Sequence, residues 1–139
     1  LPHSYPLLIY ISIFAFMNEI KIKRVYDAAD EHDGYRILAD RLWPRGIAKV
    51  KADIDLWEKN IAPSAELRKW FGHIPENFPT FTERYIKELE ANPATNAFIE
   101  LCRKQLKESN VTILFGAKDE VHNQAVVLRD YINRQLKTE

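Results

Sequence analysis

The sequence predicts an α/β fold, a single small domain with an at least partly parallel sheet flanked by helices. Strand patterns open the chain, and the middle changes to helical spacing. An almost wholly apolar run, Val111–Phe115, then returns to strand formers, as is typical of a strand covered on both faces in a parallel or mixed sheet. With 139 residues, 46% of them hydrophobic, the chain suits one core and one domain.

Two strands are predicted at the start of the domain. Residues Glu19–Val25 alternate polar and apolar side chains, as a strand with one solvated face does. A polar connection, Asp27–Gly34, leads into Tyr35–Ala39, which reads as the second strand. The domain therefore opens with strand, loop and strand.

The spacing of apolar residues becomes helical from Asp53 onward. A short element at Leu56 and Trp57 comes first. The next predicted helix follows Ser64, whose hydroxyl can cap it, and Gly72 is placed to end it.

Three further helices are predicted. Residues Thr80–Glu83 match a capping box, so one helix is expected to start there with Phe81, Tyr85 and Leu89 on one face. Another extends from Pro93 to about Lys107, with Cys102 in its apolar stripe, and the last extends from near Glu120 toward Leu136.

The first sixteen residues differ in composition from the rest. They contain no Lys, Arg, Asp or Glu. Their apolar run is too short for an ordinary membrane span and lacks the basic region and cleavage site of a secretory signal. We therefore expect residues 1–16 to be an extension outside the native domain, which is expected to span residues 17–139.

Charge and cysteine content limit the classes of function. Lys plus Arg equals Asp plus Glu at 20 each, so no overall field favours nucleic acid or an acidic membrane. Cys102 is the single cysteine and cannot form an internal disulfide, which fits a cytoplasmic protein.

The segment Asp40–Gly46 is the first candidate site. It follows the second predicted strand, where open α/β sheets usually gather ligands. Pro44 and Gly46 should order the turn, and Arg41 and Arg45 can hold a carboxylate or phosphate bidentately.

Other side chains near this segment allow two interpretations. Arg36 lies one strand-length upstream, and it could face a ligand with Arg41 and Arg45 or pair internally with an aspartate. The same internal pairing is open to the other two arginines. Trp43 could stack on a planar ligand or fill the edge of the core.

The segment Lys118–Asn123 is the second candidate site, between the buried strand and the last helix. A helix N-terminus there could bind an anion beside Lys118, with Asn123 also in reach. Asp119 could instead only cap the helix. His122, if it lies in the first helical turn, is a candidate acid or base.

Cofactor and metal sites are not predicted. The four histidines lack metal-ligand spacing, one cysteine cannot build a zinc site, and no phosphate-loop or dinucleotide glycine pattern occurs. In the segment Ala62–His73, most residues have an evident structural role in a capped helix with one apolar face. Arg68 and His73 are left as weaker candidates for chemistry.

Four segments fall in order at characteristic spacing: Lys23–Asp27, Asp33–Gly46, Ala62–His73 and Lys118–Leu128. Together they closely resemble the domain-of-unknown-function 488 family, in its YeaO-like branch, over about Asn18 to Leu136. The combination of separated motifs makes the resemblance specific. It implies a small cytosolic α/β protein of bacterial or archaeal type and carries over no settled activity.

The leading functional hypothesis is an enzyme that binds a phosphate- or nucleotide-like anion in a cleft between the Asp40–Gly46 loop and the Lys118–Asn123 helix start. Arg41 and Arg45 would clamp the anion, with Lys118 supporting the charge and Asp119 and His122 supplying acid–base chemistry.

Two other classes stay open. A non-catalytic module could bind nucleic acid or a protein through arginines around Trp43 and Trp70, although zero net charge weighs against nucleic acid. A structural subunit, such as a homodimer, would instead show an exposed apolar patch and no pocket. No membrane partner is expected.

Overall fold

The computed structural model describes residues 17–138, together with Ser4 and Pro6. Within these residues, four strands form one sheet: β1 (Ile20–Arg24), β2 (Tyr35–Leu38), β3 (Leu56–Trp57) and β4 (Val111–Phe115). Five α-helices of the same described part accompany them: α1 (Lys49–Ala52), α2 (Ala65–Phe71), α3 (Phe78–Ala91), α4 (Thr95–Leu106) and α5 (Gln124–Lys137). The predicted α/β class is confirmed. The expected extension, residues 1–16, lies outside the described residues except for Ser4 and Pro6.

The sheet is parallel throughout, with strand order β1-β4-β2-β3. Its centre is β4, whose five residues are all buried, as the apolar run predicts. Because β2 and β4 are parallel neighbours, their carboxyl ends lie at the same edge of the sheet. This arrangement brings the segments after Leu38 and Phe115 close together.

Alternate residues of the strands enter two cores of unequal size. Ile37 and Ile113 point into the larger core, which α2, α3, α4 and α5 complete on one face of the sheet. Leu38 and Leu114 point the other way, into a smaller core closed mainly by Trp43, Ile47 and Ile54 from the connection between β2 and β3 and by Trp57 of β3. The connection between β2 and β3 therefore covers one face of the sheet and also contains the first candidate segment, Asp40–Gly46.

One predicted element has the wrong type. Leu56 and Trp57 form a short strand rather than a helical element, and they pair in parallel with Ile37 and Leu38. Two residues are too few for strand alternation to show in a sequence. The free edge of β2 determines the conformation, because its backbone groups bond to the neighbouring N–H groups of Asp55 and Glu58.

Two helix starts also differ from prediction. Helix α3 begins at Phe78, directly after a 3₁₀ turn at Pro75–Asn77, so Thr80 lies inside the first helical turn instead of capping it. Pro79 fits this first turn because its missing N–H would have no partner there. Helix α5 begins at Gln124 rather than near Glu120.

The remaining helix predictions are confirmed. Ser64 caps α2 by accepting the backbone N–H of Leu67 at 3.1 Å, and Gly72 ends that helix with a φ of 58°. Cys102 is fully buried in α4. None of the helices among the described residues combines the length and the apolar character needed to cross a membrane.

Candidate functional site

A cleft of about 650 Å³ opens at the carboxyl ends of β2 and β4. The loop after β2 forms one wall, and the end of α2 with the turn after it forms another. The floor lies at Gly116, Ala117 and Gln124, between β4 and the start of α5. Its lining residues include the following polar side chains: Asp40, Arg41, Arg45, Arg68, Lys69, His73 and Gln124.

Asp40 lies on the floor of this cleft, half-buried. Its carboxylate accepts the backbone N–H of Gly116 at 2.9 Å and a hydrogen bond from Nε2 of Gln124. Burial raises the pKa of the Asp40 carboxyl above its usual value, and these two hydrogen bonds with the charges of Arg68 and His73 partly offset that rise. Asp40 therefore carries a carboxylate in a desolvated, otherwise cationic environment.

The two arginines of the predicted motif both line the cleft, with different surroundings. Arg41 is half-buried and donates from Nε and Nη2 to the carbonyl oxygen of Pro63 at 3.3 Å, which leaves other N–H groups of its guanidinium free of that contact. Arg45 is exposed, and the loop that carries it is held by a hydrogen bond from the Tyr26 hydroxyl to the Arg45 carbonyl oxygen at 3.0 Å.

Three more cationic or ionisable groups reach the cleft from α2 and its exit. Arg68 is half-buried, and its Nε is buried without a hydrogen-bond acceptor among the described residues. Lys69 is exposed, and His73 follows Gly72 in a left-handed turn with its own φ at 58°. The sequence predicts Arg68 and His73 only as weaker candidates for chemistry.

Arg36 belongs to the structure rather than to the cleft. It is 4% exposed, and its guanidinium is bound by Asp33 and by the carbonyl oxygens of Asp53 and Ala52. Lys23 also contacts Asp33, at 2.9 Å, so this buried carboxylate has two cationic partners. Burial and these partners oppose one another, with the net effect that the pKa of Asp33 is lowered.

Trp43 lines the cleft and at the same time closes the smaller core. Its indole N–H donates to the carbonyl oxygen of Ile47 at 2.7 Å, and its ring meets Trp57 edge-on with centroids 5.3 Å apart. Trp43 therefore fills the edge of the core, one of the two roles that the sequence allows, and its ring also lies at the cleft, where stacking on a ligand stays a prediction.

The segment Lys118–Asn123 does not form the second wall of the cleft. Of the residues at this end of α5, it is Gln124 that lines the cleft. The prediction that the two motifs meet is correct for their strands and wrong for this segment. Since α5 starts four residues later than expected, the residues before it form a turn in which Asp119 accepts the backbone N–H groups of Val121 and His122.

Asp119 and His122 form a close pair within that turn. The Nδ1 of His122 lies 2.9 Å from Oδ2 of Asp119, whose other oxygen accepts the backbone N–H groups of Val121 and His122. These hydrogen bonds lower the pKa of Asp119 to about 2. The His122 ring packs edge-on against Phe78, with centroids 5.3 Å apart. His122 thus precedes the helix and is not in its first turn.

Asn123 is the N-cap of α5 and is fully buried. Its Oδ1 accepts the backbone N–H of Val126 at 3.0 Å, and its Nδ2 donates to the carbonyl oxygen of Asp119. These contacts occupy the amide in capping, so the predicted ligand role of Asn123 is replaced by a structural one. Lys118 is exposed beside the turn.

The sequence indicates no ligand role for three members of the cleft, Asp40, Lys69 and Gln124. Asp40 lies in the first candidate segment, and Lys69 and Gln124 lie in two of the segments that resemble the family. The signal available for Asp40 was its place directly after a predicted strand. No group of three or more His, Cys, Asp or Glu side chains within the described residues is arranged to hold a metal ion.

Comparison with known proteins gives the family. Residues 19–139 match a family model described as the inactive DUF488-N3 subclade. The chain belongs to the DUF488 family. It is 44% identical to the uncharacterised protein YeaO of Escherichia coli strain K12 over 114 residues, which cover 81% of this chain and 96% of that protein.

Mycobacterial relatives give the same picture. The uncharacterised proteins Mb3100c of Mycobacterium bovis and Rv3073c of Mycobacterium tuberculosis strain H37Rv are each 40% identical over 114 residues, covering 82% of this chain and 93% of theirs. No solved structure matches the chain. The resemblance to the YeaO-like branch of the family, predicted from four segments, is thereby confirmed.

Proposed function

We propose that the protein binds a phosphate- or nucleotide-like small anion in the cleft at the carboxyl ends of β2 and β4. One observation carries this proposal. Four cationic side chains line the cleft: Arg41, Arg45, Arg68 and Lys69. Among the described residues, none of the four has a carboxylate within ion-pair distance.

Unpaired cations at a concave surface favour an anionic ligand. Arginine holds phosphate or carboxylate through two parallel N–H bonds, and walls of low dielectric strengthen the attraction relative to water. Arg68 also supports a ligand at this position. Its buried Nε has no hydrogen-bond acceptor among the described residues, and an oxygen of a bound anion could supply one. The only carboxylate among the lining residues, Asp40, offsets a minor part of the positive charge.

The proposal is for binding without turnover. The predicted acid–base pair, Asp119 and His122, is absent from the lining of the cleft. The matched family model also carries the word inactive in its description. Both points support a role in ligand binding over the enzyme that the sequence suggested.

The nucleic-acid or protein-binding module is supported less well by the arrangement of its arginines. Arg36 is buried, and Arg24 donates to the carbonyl oxygen of Ala117 while stacking over the Tyr26 ring. Trp70 lies at a separate groove between α2 and α3, beneath Arg84. The residues of the supposed patch are thus divided among different surroundings.

Isothermal titration calorimetry with inorganic phosphate, pyrophosphate and adenosine monophosphate tests the proposal. We expect Arg45→Ala and Arg68→Ala each to weaken binding about tenfold, because each removes a charge-assisted hydrogen bond. Arg134→Ala is the matched control, since Arg134 is exposed on α5 and does not line the cleft.

Two results would overturn the proposal: no heat of binding with any of the three anions, or an equal loss of affinity in the control. Mass spectrometry of each ligand after prolonged incubation with the protein separates binding from turnover. Recovery of the unchanged ligand is the expected result, and its conversion would restore the enzyme hypothesis.

A further inference from the structure

The floor of the cleft differs from its walls, because it presents hydrogen-bond acceptors whereas the walls present cationic side chains. Asp40 uses one carboxylate oxygen for the backbone N–H of Gly116 and the other for the Gln124 side chain. An ionised carboxylate offers about four lone-pair positions. Two of them are therefore satisfied by the protein, and the part of the chain that the structure describes donates no further hydrogen bond to this group.

Gln124 adds a second acceptor to the same floor. Because a carboxylate can only accept, the amide nitrogen of Gln124 must be the atom that faces Asp40. Its oxygen, Oε1, is then left as an acceptor, and it receives no hydrogen bond from any residue that the structure describes. The position of Gln124 as the first residue of α5 holds this amide at the floor.

The nearby cations do not satisfy these acceptors. Arg68 and His73 influence Asp40 through their charge, without a hydrogen bond to it among the described contacts. A fully ionised phosphate ester does not satisfy them either, because its phosphate oxygens only accept hydrogen bonds and its negative charge is repelled by the carboxylate. A ligand that fills the cleft must therefore bring hydrogen-bond donors of its own to the floor.

We infer that the ligand of this cleft is a hydroxylated phosphate ester, such as a polyol or sugar phosphate. This inference rests on the proposed function and specifies its ligand. The phosphate meets the arginines of the walls, and hydroxyl groups of the same molecule donate to Asp40 and Gln124. A hydroxyl suits this place better than an ammonium group, because four cationic side chains line the cleft and would repel a second positive charge.

The size of the cleft agrees with such a molecule. A volume of about 650 Å³ falls within the range of sites for small organic ligands and exceeds what a phosphate ion alone can fill. Phe71 and Phe81 also reach the lining, and they give the carbon skeleton of an ester an apolar surface to contact.

Two esters that differ only in hydroxyl groups provide the test. Glycerol 3-phosphate and propyl phosphate have the same charge and nearly the same shape, and propyl phosphate lacks both hydroxyls. In calorimetric titrations of the full chain, we expect glycerol 3-phosphate to bind about tenfold more tightly, as hydrogen bonds to a charged acceptor imply.

The variant Asp40→Asn tests whether the preference for glycerol 3-phosphate depends on the Asp40 carboxylate. Both esters should bind the variant more tightly because a negative charge is lost, while the ratio of their dissociation constants falls, with Gln124 left as an acceptor. Asp130→Asn, an exposed carboxylate on α5, is the matched control and should keep the ratio of the unaltered protein.

The outcomes separate the inference from the proposed function. Equal affinities for the two esters in the unaltered protein would overturn the inference while leaving anion binding intact. A preference that is undiminished in Asp40→Asn would also overturn it. Failure of both esters and of inorganic phosphate to bind would overturn the proposed function itself. The comparison in the unaltered protein remains decisive even if Asp40→Asn does not fold.

Discussion

The carboxylate of Asp40 accepts the backbone N–H of Gly116 at 2.9 Å and so joins the exit of β2 to the exit of β4. On the opposite side, the indole N–H of Trp57 donates to the Asp40 carbonyl oxygen at 2.8 Å. A Cβ at position 116 would lie 3.3 Å from the Asp40 carboxylate, so glycine allows this close approach. The site is thereby built on the sheet and not on the loop alone.

Asp40→Asn should change how stability depends on pH. Burial raises the folded-state pKa of Asp40 above its unfolded value of about 3.9, so the native state binds the proton more tightly. The protonated Asp40 carboxyl therefore makes its whole contribution to the free energy of unfolding at a pH below the unfolded pKa. This contribution is lost as the pH rises through the raised folded pKa. The unfolding free energy of the unaltered protein, relative to Asp40→Asn, should therefore fall with rising pH. Urea unfolding between pH 3 and pH 8 measures this difference, and a difference that grew with pH would contradict the prediction.

Asp119→Asn should have the opposite pH dependence. Hydrogen bonds lower the pKa of Asp119 to about 2, below its unfolded value. The stabilisation is present above the unfolded pKa and disappears as pH falls toward 2. The advantage of the unaltered protein over Asp119→Asn should shrink across that acidic range. Carboxyl titration by nuclear magnetic resonance checks the cause directly, and an ordinary pKa for Asp119 would refute it.

Arg36→Ala and Arg45→Ala should separate a structural arginine from a ligand-facing one. Removing Arg36 leaves the buried Asp33 without one of its two cationic partners, at a cost of about 3 kcal/mol in unfolding free energy. Arg45 is exposed, so Arg45→Ala should change stability by less than about 0.5 kcal/mol. Chemical denaturation of the two variants measures both values. Similar losses would show that the two roles are assigned wrongly.

His73→Ala and His122→Ala should differ in their effect on ligand binding. His73 lines the cleft, whereas His122 lies in the turn before α5 against Phe78. His73→Ala should weaken the binding of phosphate or its esters a few-fold, because a ring that can hydrogen-bond a ligand in the cleft is lost, and His122→Ala should leave affinity unchanged. Calorimetry on both variants checks this. A loss confined to His122→Ala would return the site to the turn that the sequence suggested.

The first candidate motif shows how far sequence reasoning could go. The sequence predicts both the strand before Asp40 and the ordering of the loop by Pro44 and Gly46. The structure has a cleft at this loop. Which arginine faces that cleft was not readable. Arg36 and Arg41 are the same residue type five positions apart, and only the packing of Asp33 and Ala52 around Arg36 assigns it to the interior.

The second motif shows where sequence reasoning failed. Asp119 and Asn123 are both good cap residues, and the sequence gives no means of choosing between them. The choice moves the start of α5 by four residues, which takes His122 out of the helix and brings Gln124 to the cleft. Two residues that are equally favourable as local caps are distinguished by their burial in the folded protein. Asn123, the N-cap in the structure, is the one that is fully buried.

The sequence by itself determined the fold class, the buried central strand, most of the helices and one wall of the candidate site, because these depend on periodicity, capping and turn residues within short segments. The tertiary structure alone decided the strand order, the two-residue strand at Leu56–Trp57 and the second wall at Arg68–His73. Those features depend on contacts between residues distant along the chain. Local pattern carries no information about which unpaired strand edge or helix end a segment will meet.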